Sequence, residues 1–271
     1  GSTAGDAEVW EWNGSAWTQI GGTASGNWGT AAYESVPAMA VWNSKLYAAI
    51  GINAANEAEV WEWGSGTTWT KVGGDGVGAP ASWNTSYETV NSLGVYNNNL
   101  IAGVGVTAGD AEVWSYNGTG WTKIGGDGTG TGGQSWGAGY EQIDSISTYN
   151  NELYVGLGTT AGDSEVWKCT GSCTVTSGWT MVGGDAVNSS WADVTYERIY
   201  TMQVYNGRLY AGLGLTAAEG EVWEWDGSIW AKIGGDGAGW TTGNNVENVS
   251  AMAIFKGKMY VGLGNTANLD S

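Results

Sequence analysis

Residues 33–74 read YESVPAMAVWNSKLYAAIGINAANEAEVWEWGSGTTWTKVGG, and the fold follows from this stretch. It holds four short apolar or alternating runs, beginning at Tyr33, Lys45, Ala58 and Thr68, with turn chemistry between them. Val, Ile, Tyr, Trp and Thr dominate the runs, which favours strand over helix. The corresponding links in a later copy, Tyr205-Asn206-Gly207-Arg208 and Trp225-Asp226-Gly227-Ser228, carry the Asn-Gly and Asp-Gly pairs that tolerate positive φ in tight hairpins. No window keeps a 3.6-residue apolar period, so almost no helix is expected. The stretch therefore predicts a four-stranded antiparallel meander.

The meander recurs. LYAAIG at Leu46 has counterparts at Leu100, Leu153, Leu209 and Met259, spaced 54, 53, 56 and 50 residues apart, and Glu-Val-Trp falls at Glu8, Glu59, Glu112, Glu165 and Glu221. Four-stranded units of this length, repeated radially, are the blades of a β-propeller. The reading is one all-β, five-bladed domain over residues 1–271, with blades at 33–74, 87–126, 140–184 and 196–235. A fifth blade joins 246–264 to 7–22, so that N-terminal outer strands pair with C-terminal inner strands and protect their edges. Such a closed ring is expected to be a monomer. Trp63-Gly64-Ser65-Gly66-Thr67-Thr68-Trp69 sits where an Asp-box would lie, and Gly73-Gly74, Gly125-Gly126, Gly183-Gly184 and Gly234-Gly235 are double glycines of kelch type, placed at the end of the fourth strand. On these residues the repeat resembles kelch-like and Asp-box-like propeller blades, and its plan of five is similar to tachylectin-2-type lectins. The resemblance implies architecture and assigns no functional residue.

Composition excludes much chemistry. The 271 residues include 48 Gly, 19 Trp and 13 Tyr, with 27 Asp+Glu against 9 Lys+Arg, no His, and a net charge of −18. Nucleic acid is not an expected partner, because phosphate binding needs clustered cations. No apolar run nears the ~20 residues of a membrane-spanning helix, so membrane insertion is not expected. Without imidazole there is no Ser-His-Asp or Cys-His catalysis and no His-containing zinc site.

Strand order places the loop between second and third strands and the link between blades on one face, where the long loops gather. Function on a rigid scaffold tends to occupy such loops. Three recurrent residue sets there are candidate ligand-binding residues: the link tryptophans Trp28, Trp83, Trp136, Trp191 and Trp240; the carboxylates after the double glycine, Asp75, Asp127, Asp185 and Asp236; and the inner-strand glutamates Glu34, Glu88, Glu141, Glu197 and Glu247. An indole face beside carboxylates suits a neutral sugar, whose C–H face stacks while its hydroxyls meet acceptors. The alternatives stay open: the tryptophans equally serve as plugs, the aspartates as turn residues, and the glutamates as caps for buried amides. A ring of glutamates could also hold a calcium ion, since hard cations prefer several oxygens, although no cofactor or metal is required.

The expectation from these features is a non-catalytic, multivalent carbohydrate-binding or adhesion module taking a glycan or cell-surface ligand. A protein-interaction propeller is the alternative, and a carboxylate-dependent glycosidase ranks behind both. Catalysis would show as one blade departing from the others, and the acids mostly repeat; Asp144 and Asp193 are exceptions. Arg198 and Arg208, the two arginines, read as strand and hairpin residues. Cys169 and Cys173 lie in the one expanded third-to-fourth-strand turn, which predicts a local disulfide and an extracellular or cell-surface setting.

Overall fold

The computed structural model describes residues 4–22, 28, 33–51, 57–74, 82–83, 86–126, 135–192, 195–216, 218–236, 238–240 and 246–264. The protein is all-β, with one 3-10 turn at Val187–Ser189 as the sole helical segment among these residues. Two compact units divide the chain, one of residues 1–106 and 112–123, the other of residues 107–111 and 124–271.

In the first unit, β1 (Glu8–Trp12) and β2 (Trp17–Gly22) form a two-stranded sheet. A four-stranded antiparallel meander follows: β3 (Met39–Trp42), β4 (Lys45–Ile50), β5 (Glu59–Ser65) and β6 (Thr68–Gly73). The next meander runs through β7 (Val90–Tyr96), β8 (Asn99–Val104), β9 (Glu112–Tyr116) and β10 (Trp121–Gly125), whose last two residues belong to the second unit.

The second unit holds β11 (Ile143–Tyr149), β12 (Glu152–Leu157), β13 (Val166–Thr174) and β14 (Ser177–Gly183) as one meander. Another comprises β15 (Ile199–Tyr205), β16 (Arg208–Leu213), β17 (Val222–Trp225) and β18 (Trp230–Asp236), to which the short β19 (Gly239–Trp240) adds in parallel. Last come β20 (Asn248–Phe255) and β21 (Lys258–Gly264), a two-stranded sheet. These meanders are propeller blades.

Local chemistry sets the hairpins. First-to-second-strand turns place both central residues at positive φ, as at Asn43-Ser44, Asn97-Asn98, Asn150-Asn151 and Asn206-Gly207. Asparagine tolerates that region better than other side chains, and the resulting turn twist matches the strands. In the third-to-fourth-strand turns, the Oδ1 atoms of Asn13, Asn117 and Asp226 each accept two backbone N–H bonds from residues two and three positions on. The expanded turn of β13–β14 carries the Cys169–Cys173 disulfide.

Between neighbouring sheets the core is a set of tryptophan triads. Trp28 packs with Trp61 and Trp69, and Trp83 with Trp114 and Trp121, in the first unit. Trp136 meets Trp167 and Trp179, and Trp191 meets Trp223 and Trp230, in the second. Ring centroids in these pairs lie 4.8–5.9 Å apart, most of them edge-on or tilted, as quadrupoles prefer. The double glycine exists because of them. A Cβ on Gly183 would come within 2.9 Å of Trp230 and 3.1 Å of Trp191, and Gly184 takes φ +101°, a region β-carbon-bearing residues avoid.

Candidate functional site

Each link tryptophan in a complete triad is bolted to a neighbouring loop. The indole N–H of Trp28 donates to Ala7 O at 3.0 Å, Trp83 to Ala58 O at 2.7 Å, Trp136 to Ala111 O at 2.9 Å and Trp191 to Ser164 O at 2.7 Å. Their exposures are 1, 5, 3 and 3%, so their ring faces are turned into the core. Trp240 is half-buried, and its buried indole nitrogen has no hydrogen-bond partner.

The carbonyls that these tryptophans hold stand immediately before the Glu of Glu-Val-Trp. In the four-stranded meanders that glutamate is buried, and in three of them a lysine two residues before the double glycine neutralises it; in β1–β2 Glu8 is exposed and Gln19 takes the lysine's place. Glu59 pairs with Lys71 at 2.7 Å, Glu112 with Lys123, and Glu221 with Lys232. The register places Lys71 opposite Trp61 and Lys232 opposite Trp223. In the sheet β11–β14 the residue opposite Trp167 is Met181. Glu165 therefore lacks the cation that Glu59, Glu112 and Glu221 have.

Around Glu165 the acids gather. Its carboxylate accepts from the Trp167 indole at 2.6 Å and from the Tyr140 hydroxyl. Burial pushes its carboxyl up despite those two bonds, and the charge of Asp185 adds to the rise. Asp163, in the loop between β12 and β13, hydrogen-bonds Glu141 at the head of β11. Burial first, then the charge of Glu141 and the bond to it, then Glu165, push the Asp163 carboxyl up to about 7. Glu141 meanwhile accepts the hydroxyls of Thr159 at 2.7 Å and Thr160 at 2.6 Å, one on each carboxylate oxygen. The loop is held by Asp163 N–H on Thr160 O at 2.9 Å and Gly162 N–H on Tyr196 O at 3.0 Å. A carboxyl that holds a proton near neutral pH, beside a carboxylate fixed by two hydroxyls, can give that proton to a bound oxygen.

Of the residues singled out from sequence, the structure brings Glu141 and Asp185 into this cluster, with Trp191 behind it through Ser164. Glu197 is half-buried, its carboxyl raised by burial and by the charge of Glu219. Glu34 and Glu88 are half-buried and Glu247 is buried. Asp75 and Asp127, like Asp193, lie outside the described residues, as does the side chain of Asp236. Among the described residues no group of three or more acids or cysteines could hold a metal ion. Sequence reasoning passed over Asp163 and its counterparts Asp6, Glu57, Asp110 and Glu219. The signal was present, as the acid of the recurrent TAGD-type loop and as Met181 in a position given to lysine in three repeats and to Gln19 in the first.

The raised carboxyls have a common consequence for stability. A native-state pKa above the unfolded value means that the folded protein binds the proton more tightly. The benefit is complete below about pH 4, the ordinary carboxyl range, and is lost as pH rises toward 7 for Asp163. Melting followed by circular dichroism should give a higher Tm at pH 5 than at pH 8, and Asp163→Asn should narrow the gap. A Tm that is flat or rising over that range would contradict the assignment.

No family model matches the chain, and no curated protein matches it. Among solved structures it is similar to an α-L-arabinofuranosidase from Clostridium thermocellum, at 14% identity over 85% of this chain and 82% of that one, with a TM-score of 0.45. That neighbour is a glycosidase. The sequence-based expectation of a non-enzymatic lectin-like or adhesion module is overturned by this finding and is withdrawn. The likeness itself transfers no activity and no residue to this chain.

Proposed function

We propose that the protein is a carboxylate-dependent glycoside hydrolase whose acid is Asp163. The observation that carries the reading is the Asp163 carboxyl, held near neutrality against Glu141 in the one meander whose Glu-Val-Trp glutamate has lost its lysine. A glycosidic oxygen entering the cluster replaces Glu141 as acceptor of the Asp163 proton, and the C–O bond breaks as the proton transfers. Glu141, freed as an anion beside the sugar, stabilises positive charge developing at the anomeric carbon. Asp185 is exposed and electrostatically linked to Glu165 and Tyr140, and is assigned the proton of the attacking water. Support for an extracellular setting comes from the Cys169–Cys173 disulfide. The substrate would then be a glycan at the cell surface or outside it. Kelch-like descent and a tachylectin-2-type plan stay proposals about ancestry and assign no residue.

The test is turnover of a panel of aryl glycosides, α-L-arabinofuranosides included. Asp163→Asn should lower kcat/KM by about 10² to 10⁴-fold, the usual range for a general acid. Glu141→Gln should move the alkaline limb of the pH profile to lower pH, because the proton on Asp163 loses the neighbouring charge that keeps it there. No turnover above blank on any glycoside, or turnover indifferent to Asp163→Asn, would remove the reading.

A further inference from the structure

The Glu-Val-Trp carboxylate is held alike in the four-stranded meanders. Oε2 of Glu59, Glu112, Glu165 and Glu221 accepts the indole N–H of the tryptophan two residues on, at 2.6 to 2.8 Å. Oε1 of Glu59, Glu112 and Glu221 receives the ammonium of Lys71, Lys123 and Lys232. The cradle around Glu165 matches as well. A Cβ on Gly184 would come within 2.9 Å of Glu165 Cγ, as one on Gly74 or Gly235 would come within 3.2 and 3.1 Å of the same atom in Glu59 and Glu221. A tyrosine hydroxyl reaches Glu165 from Tyr140 as one reaches Glu59 from Tyr33.

The cation is what differs. Met181 stands in the lysine's register, opposite Trp167, with a stem that stops at a methyl where lysine goes on to nitrogen. Glu165 is 4% exposed, and a buried carboxylate without an opposite charge is costly. The charges that act within its cluster are carboxylates, Asp185 on Glu165 and both Glu141 and Glu165 on Asp163. The ammonium position can be reached from solvent. Lys71, Lys123 and Lys232, which fill it in their own sheets, keep 17, 18 and 28% of their side chains exposed.

We infer that Glu165 Oε1 takes the ammonium group of a ligand, in the place that lysine Nζ holds in the sibling sheets, and that the substrate is accordingly an amino sugar. A single carboxylate oxygen suits a group that brings its own N–H donors. A divalent cation wants several oxygens, and among the described residues no group of three or more acids or cysteines could hold a metal. That the amine is borne by a glycan rests on the hydrolase reading, since Glu165 lies two residues from Asp163. Glu141, which acts on Asp163 more strongly than Glu165 does, is not neutralised by such a ligand, so the Asp163 proton stays. N-acetylation removes the charge that the site selects, and uronic or sulfated sugars meet carboxylates there.

Calorimetric titration of the full chain at mildly acidic pH tests it, with the tetramers of glucosamine, N-acetylglucosamine and glucose in the same linkage. The glucosamine tetramer should bind at least about tenfold more tightly than the other two, the worth of one hydrogen bond between charged groups. Met181→Lys gives the site its own ammonium, as in the sibling sheets, and should bring the three within about twofold of one another with an unchanged β-sheet spectrum. Met181→Gln should keep the preference. Equal binding of the three by the unmodified chain overturns the inference. So does a preference that survives Met181→Lys, which would be the pull of an acidic surface on any polycation. A potassium chloride titration that reveals a site lost in Met181→Lys overturns it too, because the ligand is then an inorganic ion. Turnover decides the hydrolase reading separately: selective binding with no glycoside cleaved keeps the ammonium site and removes the hydrolase, and cleavage without the preference does the reverse.

Discussion

Trp191→Ala should destabilise the protein by about 3–5 kcal/mol, the range for removing a buried tryptophan, and lower Tm by about 10 °C. The side chain is 3% exposed, sits 5.6 Å from Trp223 and 5.4 Å from Trp230, and rests over Gly183. Nothing nearby can fill its place: Gly183 has no side chain and the neighbouring rings are themselves fixed by their N–H bonds to backbone carbonyls and a glutamate. The loss reaches the site as well. The Trp191 indole holds the carbonyl of Ser164, the residue between Asp163 and Glu165. Releasing it loosens the loop that places both acids, so glycoside turnover should fall along with stability. Trp191→Phe separates the two effects, retaining most ring contact while leaving Ser164 O without its donor, and should cost about 1–2 kcal/mol less. Thermal melts of the three proteins decide it; a loss below about 1 kcal/mol for Trp191→Ala would mean that the ring is not a structural member.

The strands were legible because their determinants are local. Alternation in Val, Trp and Tyr and the Asn-Gly or Asp-Gly turns act within a hairpin, so the sequence carries them openly. The tryptophans were not legible in the same way. Whether Trp28 or Trp83 offers a ring to a ligand or buries it depends on a carbonyl 21 or 25 residues away in sequence and on rings in the next sheet. Periodicity does not encode that choice. Among the acids, Glu141 and Asp185 belong to the recurrent sets named from sequence, while Asp163 recurs too but sits in the loop between second and third strands, where its meeting with Glu141 depends on the fold. A catalytic blade is expected to stand apart by an added acid; in β11–β14 the departure among the four-stranded meanders is Met181 in the place of a lysine, which changes the charge around Glu165 by one unit while every carboxylate stays in place. Charge balance, read position by position across repeats, would have exposed it.

Asp144→Ala should cost about 3 kcal/mol or more, since it strands a guanidinium that has little access to water. The Asp144 side chain is 3% exposed and that of Arg198 22%. Arg198 holds the carboxylate with two nitrogens, Nε on Oδ2 at 3.0 Å and Nη2 on Oδ1, and Gln142 donates to Oδ1 at 2.5 Å. The guanidinium also lies 4.3 Å above the Tyr200 ring. Burial raises the Asp144 carboxyl even though Arg198 opposes the rise, so desolvation outweighs the attraction for this group. That balance separates removing one partner from removing both. Asp144→Ala leaves a cation facing Gln142 and an aromatic ring, whereas Asp144→Leu combined with Arg198→Met removes both charges and keeps much of the volume. The double variant should lie within about 1 kcal/mol of the parent, since replacing a buried pair by apolar groups is often neutral. Urea denaturation of the single and double variants gives the coupling energy directly. If the two single losses simply add in the double variant, the pair is not a unit, and Arg198 is held by the Tyr200 ring and its backbone instead.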